Sequence, residues 1–294
     1  IGKKRIGMIQ KAWDEQKEIR VIMIFLQSHG VSSGYSAKIY RQYGNDSIRI
    51  VKENPYRLAT DIFGIGFVTA DKIAQNIGFA KDSDLRAEAG ILHVLHEMAD
   101  EGHVYYAYEP LIEKCGEILG IDREIIAKAI GTLALDKRIV IEDLKEEIRD
   151  FKGDRRAVYL AAFHAAETGL STRLKTIIHT PRTLRRIDPG KAIQWIQEKL
   201  GIVLADKQIE VVRCVAENKV MVVTGGPGTG KTTIINAFIR IFSGIQAGIL
   251  LAAPTGRAAK RMMEATGHEA KTIHRLLEYS RRKGGFQKDG DSPL

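Results

Sequence analysis

A chain of 294 residues with 44% hydrophobic residues can hold two or three domains with real cores. Its 45 Lys and Arg against 36 Asp and Glu leave a formal charge of +9, which suits a polyanionic partner without identifying one. Two cysteines, Cys115 and Cys214, exclude a disulfide scaffold or a cysteine metal cluster; no apolar run reaches the roughly 20 residues that cross a membrane, and the basic start lacks the apolar segment of a secretion signal, so a cytoplasmic protein is expected.

In chain order, Ile19 to Gln27 is apolar almost all round and predicts a buried helix. His29-Gly30 breaks it, Ser32 and Ser33 are candidate N-caps, and Tyr35, Ile39, Tyr40 and Tyr43 continue on a second helix that stops at Gly44. A second helical pair follows from Asn54-Pro55. Its connection is Phe63-Gly64-Ile65-Gly66-Phe67, where Gly64 and Gly66 permit a very tight hairpin with Ile65 plugged between the helices. The arrangement resembles the helix-hairpin-helix modules of DNA-binding proteins, with His29 to Ser33 as a more divergent copy. Such a hairpin would meet phosphate through backbone N–H groups, supported by Lys72 or Lys38; a purely structural helical hairpin is the alternative.

From Glu88 a helix, a strand at Val104 to Tyr108, helices at Leu111 to Leu119 and Arg123 to Leu135 with Asp122 as N-cap, and a strand at Arg138 to Glu142 are expected. This order looks like a winged-helix unit, for which a structural or protein-contact role is favoured because Glu124 spoils the phosphate-facing side of the second helix. Tyr105, Tyr106 and Tyr108 are read as packing residues before a base-stacking platform. Arg155 to Thr168 reads as a further helix, with His164 as a hydrogen-bonded surface residue. Arg173, Lys175, Arg182, Arg185 and Arg186 mark a basic linker, which is a groove edge for nucleic acid or simply a solvated surface.

The stretch Gly225, Gly226, Pro227, Gly228, Thr229, Gly230, Lys231, Thr232 matches the phosphate-loop pattern G-x-x-x-x-G-K-[ST]. Val220 to Val223 before it predicts a buried parallel strand, and Thr233 to Ile241 after it a helix. The loop N–H groups and the helix N-terminus suit phosphate, Lys231 reaches the β and γ phosphates, and Thr232 offers a hydroxyl to Mg²⁺. ATP and Mg²⁺ are therefore the expected cofactors. Ile249 to Ala253 predicts a second buried strand that ends in Pro254-Thr255-Gly256-Arg257, implying a parallel α/β arrangement.

Four segments in order, LADKQ, GGPGTGKTT, AAPTGRAAKRM and KTIHRLL, resemble the start of the motor of RecD-like, superfamily 1B DNA helicases, and the paired hairpins resemble the N-terminal region of the long RecD2 subfamily. The resemblance implies that Gln208 recognises adenine, and that Gly230, Lys231, Thr232 and Thr233 sit in the ATP-Mg²⁺ site. It also implies that Pro254, Thr255, Gly256 and Arg257 lie against single-stranded DNA, with Thr272, His274 and Arg275 on the same DNA side. A buried polar role for His274 stays open.

The fold class expected is multidomain and mainly α at the N-terminus, followed by a partial α/β P-loop domain of RecA type. Its parts are tandem hairpins at 1–85, a winged-helix-like unit at 86–150, a helical linker at 151–202 and the start of the motor at 203–294. The function expected of the parent protein is an ATP-dependent 5′ to 3′ DNA helicase, acting on single-stranded DNA and duplex junctions as a monomer. The acidic strand and second motor domain that such an engine needs are not visible, so the chain reads as a fragment that binds without unwinding. A nonenzymatic DNA-binding or repair adaptor, and a P-loop ATPase acting on another substrate, are the competing readings.

Overall fold

The computed structural model describes residues 3–144 and 154–294, and the chain divides into two compact units, Ile1–Gly169 and Leu170–Leu294. The first is mainly helical. Helix α1 (Lys3–Ser28) is longer than the periodicity suggested, and it is buried on one stripe only: Ile22 and Leu26 are 4% and 0% exposed, whereas Val21 and Ile24 are 54% and 60% exposed. The expected all-round burial fails because its neighbours, α2 (Ser33–Tyr43) and α3 (Ser47–Glu53), cover a single side. Ser32 caps α2, its hydroxyl accepting from the Tyr35 N–H, as a residue that satisfies an orphan donor should.

The second hairpin joins the one-turn helix α4 (Arg57–Asp61) to α5 (Phe67–Ile77). Gly64 takes φ +87°, a conformation that side chains resist, and this reversal drops Ile65 into the core at 3% exposure.

The winged-helix order continues without a break in the hydrophobic core. Helix α6 (Asp84–Asp100), strand β1 (Tyr106–Ala107), helices α7 (Tyr108–Leu119) and α8 (Arg123–Leu135), then strands β2 (Ile139–Asp143) and β3 (Arg156–Leu160) give an antiparallel sheet ordered β1-β3-β2. Two expectations change here. The helix expected from Arg155 begins instead with β3, whose Val158 pairs with Ile141 on one side and Tyr106 on the other, and α9 runs only afterwards (Ala161–His179). Asp122 stands at the N-cap of α8 but its side chain makes no capping bond.

The tyrosines are packing residues: Tyr108 is buried under the Arg156 guanidinium at 3.6 Å, and the Tyr105 ring lies 5.3 Å from that of Tyr159. His164 faces Glu142 at 3.7 Å and meets the Tyr159 ring edge-on. The domain edge expected at 150 falls outside the described residues.

One network ties the hairpin module to the winged module. Arg86 on α6 donates to Asp71 on α5 (2.8 Å) and to the carbonyls of Lys81 (2.7 Å) and Leu119 (2.8 Å), while Tyr56 and Gln75 donate to the same Asp71 carboxylate at 2.9 and 3.0 Å. Burial and the neighbouring Asp71 push the Tyr56 hydroxyl well above its ordinary pKa, so it stays a donor. Around this network Leu26, Ile39, Leu58, Ile91, Leu111 and Ile130 are fully buried in one continuous core, each contributing about 1.5–3 kcal/mol of apolar transfer.

The second unit contains α10 (Pro189–Leu200), capped by the Asp188 side chain, then α11 (Asp206–Glu217), α12 (Lys231–Gly244), β4 (Leu251–Ala253), α13 (Gly256–Thr266), β5 (Ala270–Thr272) and α14 (Ile273–Leu276). Ile193, Ile196, Val212, Ile234 and Ile241 from the first three of these helices make a small core. Strands β4 and β5 pair in parallel around α13, as the α/β expectation required. The run Val220 to Val223 does not form the expected buried strand. Among the described residues no strand pairs with it, and Val222 is 84% exposed, because a parallel strand is buried by neighbours on either side and an apolar run cannot supply them itself. Strand β4 is likewise only partly buried, with Leu250 beside it 62% exposed. No described helix is long and apolar enough to cross a membrane.

Candidate functional site

The glycine-rich turn from Gly225 to Gly230 leads directly into α12, whose first residues are Lys231, Thr232 and Thr233. Gly230 is the N-cap with φ +81°, and a Cβ there would overlap the Gln208 side chain; a Cβ on Gly225 would meet Thr229 Oγ1 at 2.8 Å. Position 230 thus needs glycine for its left-handed backbone, and the loop packs closely on Gln208 and Thr229. The Lys231 ammonium lies across the loop and donates to the carbonyls of Gly225 (2.6 Å) and Gly226 (2.5 Å), and Thr229 donates to Gly226 O at 2.9 Å. Lys231 and Thr232 are both exposed.

Gln208 is placed against this loop by the first turn of α11. Its Oε1 accepts from the Ala205 N–H (3.1 Å) and its Nε2 donates to the Thr229 carbonyl (3.3 Å). A cleft of about 490 Å³ opens between α11 and the loop, lined by Gln208, Val211, Cys214, Thr229, Lys231 and Ile234. This lining fits a nucleotide: the Gln208 amide and the Lys231 ammonium stand at the loop, with apolar surface from Val211 and Ile234 beside them.

The two segments expected on the DNA side are brought together by the parallel pair. Ala253 at the end of β4 faces Thr272 at the end of β5, so Pro254 to Arg257 and Ile273 to Arg275 leave the sheet at the same edge. Each threonine caps the helix that follows: Thr255 Oγ1 accepts from the Ala258 N–H (3.3 Å) and Thr272 Oγ1 from the Arg275 N–H (3.2 Å). His274 is exposed, with the rings of Tyr279 and Phe286 at 5.5 and 5.6 Å.

Thr232, Thr255, Arg257 and Arg261 share the wall of a second cleft of about 430 Å³, which puts the start of the phosphate-loop helix beside the Thr255 segment. Asn236 on α12 holds the end of α13 through the Ala265 carbonyl at 2.9 Å. The strand β5 and the Gln208 to Thr229 bond were not foreseen from the sequence. The sole local signal for β5 was the β-branched Thr272 at its end.

Gly64, Gly66 and Lys72 belong to the other unit. Gly66 is the N-cap of α5 with no side-chain cap, and Lys72 is exposed on α5. Lys38 of α2 reaches the Phe63 carbonyl at 3.2 Å, so it braces the hairpin.

Residues 15–105 match the family described as the ATP-dependent RecD2 DNA helicase HHH domain, and residues 208–294 match an AAA domain. The chain is 29% identical to the ATP-dependent RecD2 DNA helicase of Deinococcus radiodurans, over 95% of this chain and 39% of that protein. It is 34% identical to the RecBCD enzyme subunit RecD of Mycolicibacterium smegmatis over 30% of this chain and 20% of that one, and 43% identical to the ATP-dependent DNA helicase dda of Enterobacteria phage T4 over 23% and 16%. The chain thus spans about two fifths of the RecD2 relative and less of the others.

Proposed function

We propose that this chain, which matches a RecD2-type helix-hairpin-helix domain and an AAA domain, is the DNA-gripping and ATP-binding portion of a RecD-like 5′ to 3′ DNA helicase. The observation that carries the reading is the shared cleft in which Thr232 of the phosphate-loop helix stands beside Thr255 and Arg257 of the DNA-side segment. A motor needs its nucleotide and its track to press on the same elements, and α12 and α13 are joined there.

In this reading the backbone N–H groups of Gly226 to Gly230 and the Lys231 ammonium hold the phosphates, with Lys231 exchanging its loop carbonyls for phosphate oxygens. Thr232 supplies a hydroxyl to Mg²⁺, and the metal neutralises charge on the phosphates. Pro254 to Arg257 and Thr272 to Arg275 line a sequence-independent track for single-stranded DNA, on which Arg257 supplies positive charge. Hydrolysis further requires a carboxylate to orient water and an arginine at the γ phosphate. In this reading residues 1–294 alone are expected to bind nucleotide and DNA without separating strands.

The test is a 5′-tailed forked duplex, on which phosphate release and strand separation are measured together for residues 1–294 and for a longer coding product. Unwinding by the short chain would reject the division of labour, and DNA-independent hydrolysis by the longer one would favour an ATPase with another substrate. Gln208→Ala is expected to bring the preference for ATP over GTP down towards unity in direct competition, since the amide lines the cleft and carries both a donor and an acceptor; an unchanged ratio would remove Gln208 from base recognition. Lys72→Glu, on an exposed face of α5, is expected to weaken duplex binding for every sequence alike and to lower the salt slope by about 1. Binding that is unchanged across a salt titration would take Lys72 off the DNA surface.

A further inference from the structure

Phe63 stands at the tip of the second hairpin with 99% of its surface exposed, although Ile62 and Ile65 on either side of the turn are buried at 8% and 3%. A benzyl group held in water contributes nothing to this core, so its packing gives no reason for an aromatic side chain. The backbone that carries it is nonetheless held in place. Gly64 reverses the chain immediately after it at φ +87°, and the Lys38 ammonium on the first hairpin's second helix holds the Phe63 carbonyl at 3.2 Å.

That ammonium is exposed and lies 5.7 Å from the Tyr35 ring centroid. A lysine has three N–H donors, of which the carbonyl takes one. The two hairpins therefore place a fully exposed aromatic residue and an accessible cation at one turn, the cation on that residue's own carbonyl. Val68, 71% exposed in the first turn of α5, adds an apolar side chain to the same hairpin.

An aromatic face with a cation beside it is the chemistry that takes an unpaired nucleotide, because every base offers a π-face and every nucleotide a phosphate. Paired bases inside a duplex show only their edges, so such a ring finds a partner where pairing ends. We propose that Phe63 stacks on the first unpaired base beside a duplex end while Lys38 meets its phosphate, so that the tandem hairpins bind the boundary between single and double strand in preference to continuous duplex. The inference rests on the DNA-binding reading of the hairpin module and adds to it a ligand and a residue. An apolar protein anchor would instead sit in a desolvated ring of apolar neighbours, and here the fixed neighbour is an ammonium.

The experiment uses residues 1–294 and a duplex with a 5′ single-stranded tail carrying 2-aminopurine at its first unpaired position, with relaxed, covalently closed circular duplex as the comparison. The expected result is a change in 2-aminopurine fluorescence on binding. Phe63→Ala should weaken binding to the tailed duplex about 10-fold and abolish that change, leave affinity for the closed circle within about 2-fold, and be rescued by Phe63→Trp. Both variants should keep the wild-type melting curve, since the side chain packs on nothing.

Equal binding of the tailed duplex by wild type and Phe63→Ala overturns the inference alone, provided that Lys72→Glu still weakens duplex binding. Failure of the wild-type chain to bind any of these DNAs overturns the hairpin reading and the inference together. A concentration-dependent self-association that disappears in Phe63→Ala would make the ring a contact between copies, and would also overturn it.

Discussion

Lys231→Ala is expected to weaken binding of Mg²⁺-ATP about 100-fold, and to remove DNA-dependent ATP turnover from any longer form of the protein that has it. The ammonium is the one cationic side chain that the loop itself provides, and it already reaches across the loop to Gly225 and Gly226. Removing it leaves phosphate charge without compensation, a loss of about 2–4 kcal/mol for a truncated charge partner. Titration of a fluorescent ATP analogue with and without Mg²⁺ checks this. A variant within about threefold of the wild type would show that the loop N–H groups suffice and that Lys231 has another role. The substitution should leave the fold intact, because the side chain is exposed and packs in neither core.

Arg86→Met is expected to have the largest effect on stability, about 3–5 kcal/mol, seen as a lower urea midpoint for the first unit at unchanged slope. The guanidinium and the Asp71 carboxylate are about nine-tenths buried, and the arginine also satisfies the carbonyls of Lys81 and Leu119. Methionine fills much of the volume but strands a buried carboxylate and two carbonyls. The double variant Asp71→Asn with Arg86→Met should recover part of the loss, because an amide has no charge to bury. A change below about 1 kcal/mol for Arg86→Met would mean that water replaces the arginine at this joint. Asp71 is on α5, the hairpin helix that carries Lys72, so this pair braces the helix on which the proposed DNA contact would sit.

Much of the local structure was legible in the residues. Ser32 accepts from the N–H three residues ahead as expected, whereas Asp122 stands at its expected N-cap without a capping bond, and Gly44 and Gly78 end α2 and α5; these are decisions made within one helical turn. The phosphate loop is legible for the same reason, since its chemistry is held within eight consecutive residues that run into a helix. The parallel β4 to β5 pairing bore out the α/β arrangement, although the strands are three residues each and β5 carried almost no signal of its own.

The misreadings share a cause. Arg156 to Leu160 is a strand because β1 and β2 lie on its two sides, and Val220 to Val223 is not one because no strand among the described residues pairs with it. Both runs are apolar and both fit either state by period alone. Helix α1 was expected to be buried all round from composition, yet exposure is set by how many neighbours arrive, and they arrive on one side.

By itself, then, the amino-acid order determined the helix caps, the tight glycine hairpin, the phosphate loop and the serial arrangement of motifs, because each depends on dihedral preferences and hydrogen bonds between residues at most a few positions apart. The tertiary structure alone decided which side chains meet across long separations. Lys38 braces Phe63, Gln208 spans to Thr229, Arg86 closes on Leu119, and Thr232 comes to share a cleft with Thr255. These contacts follow from the packing of whole elements, whose energy is spread over the core and is not written at either partner's position.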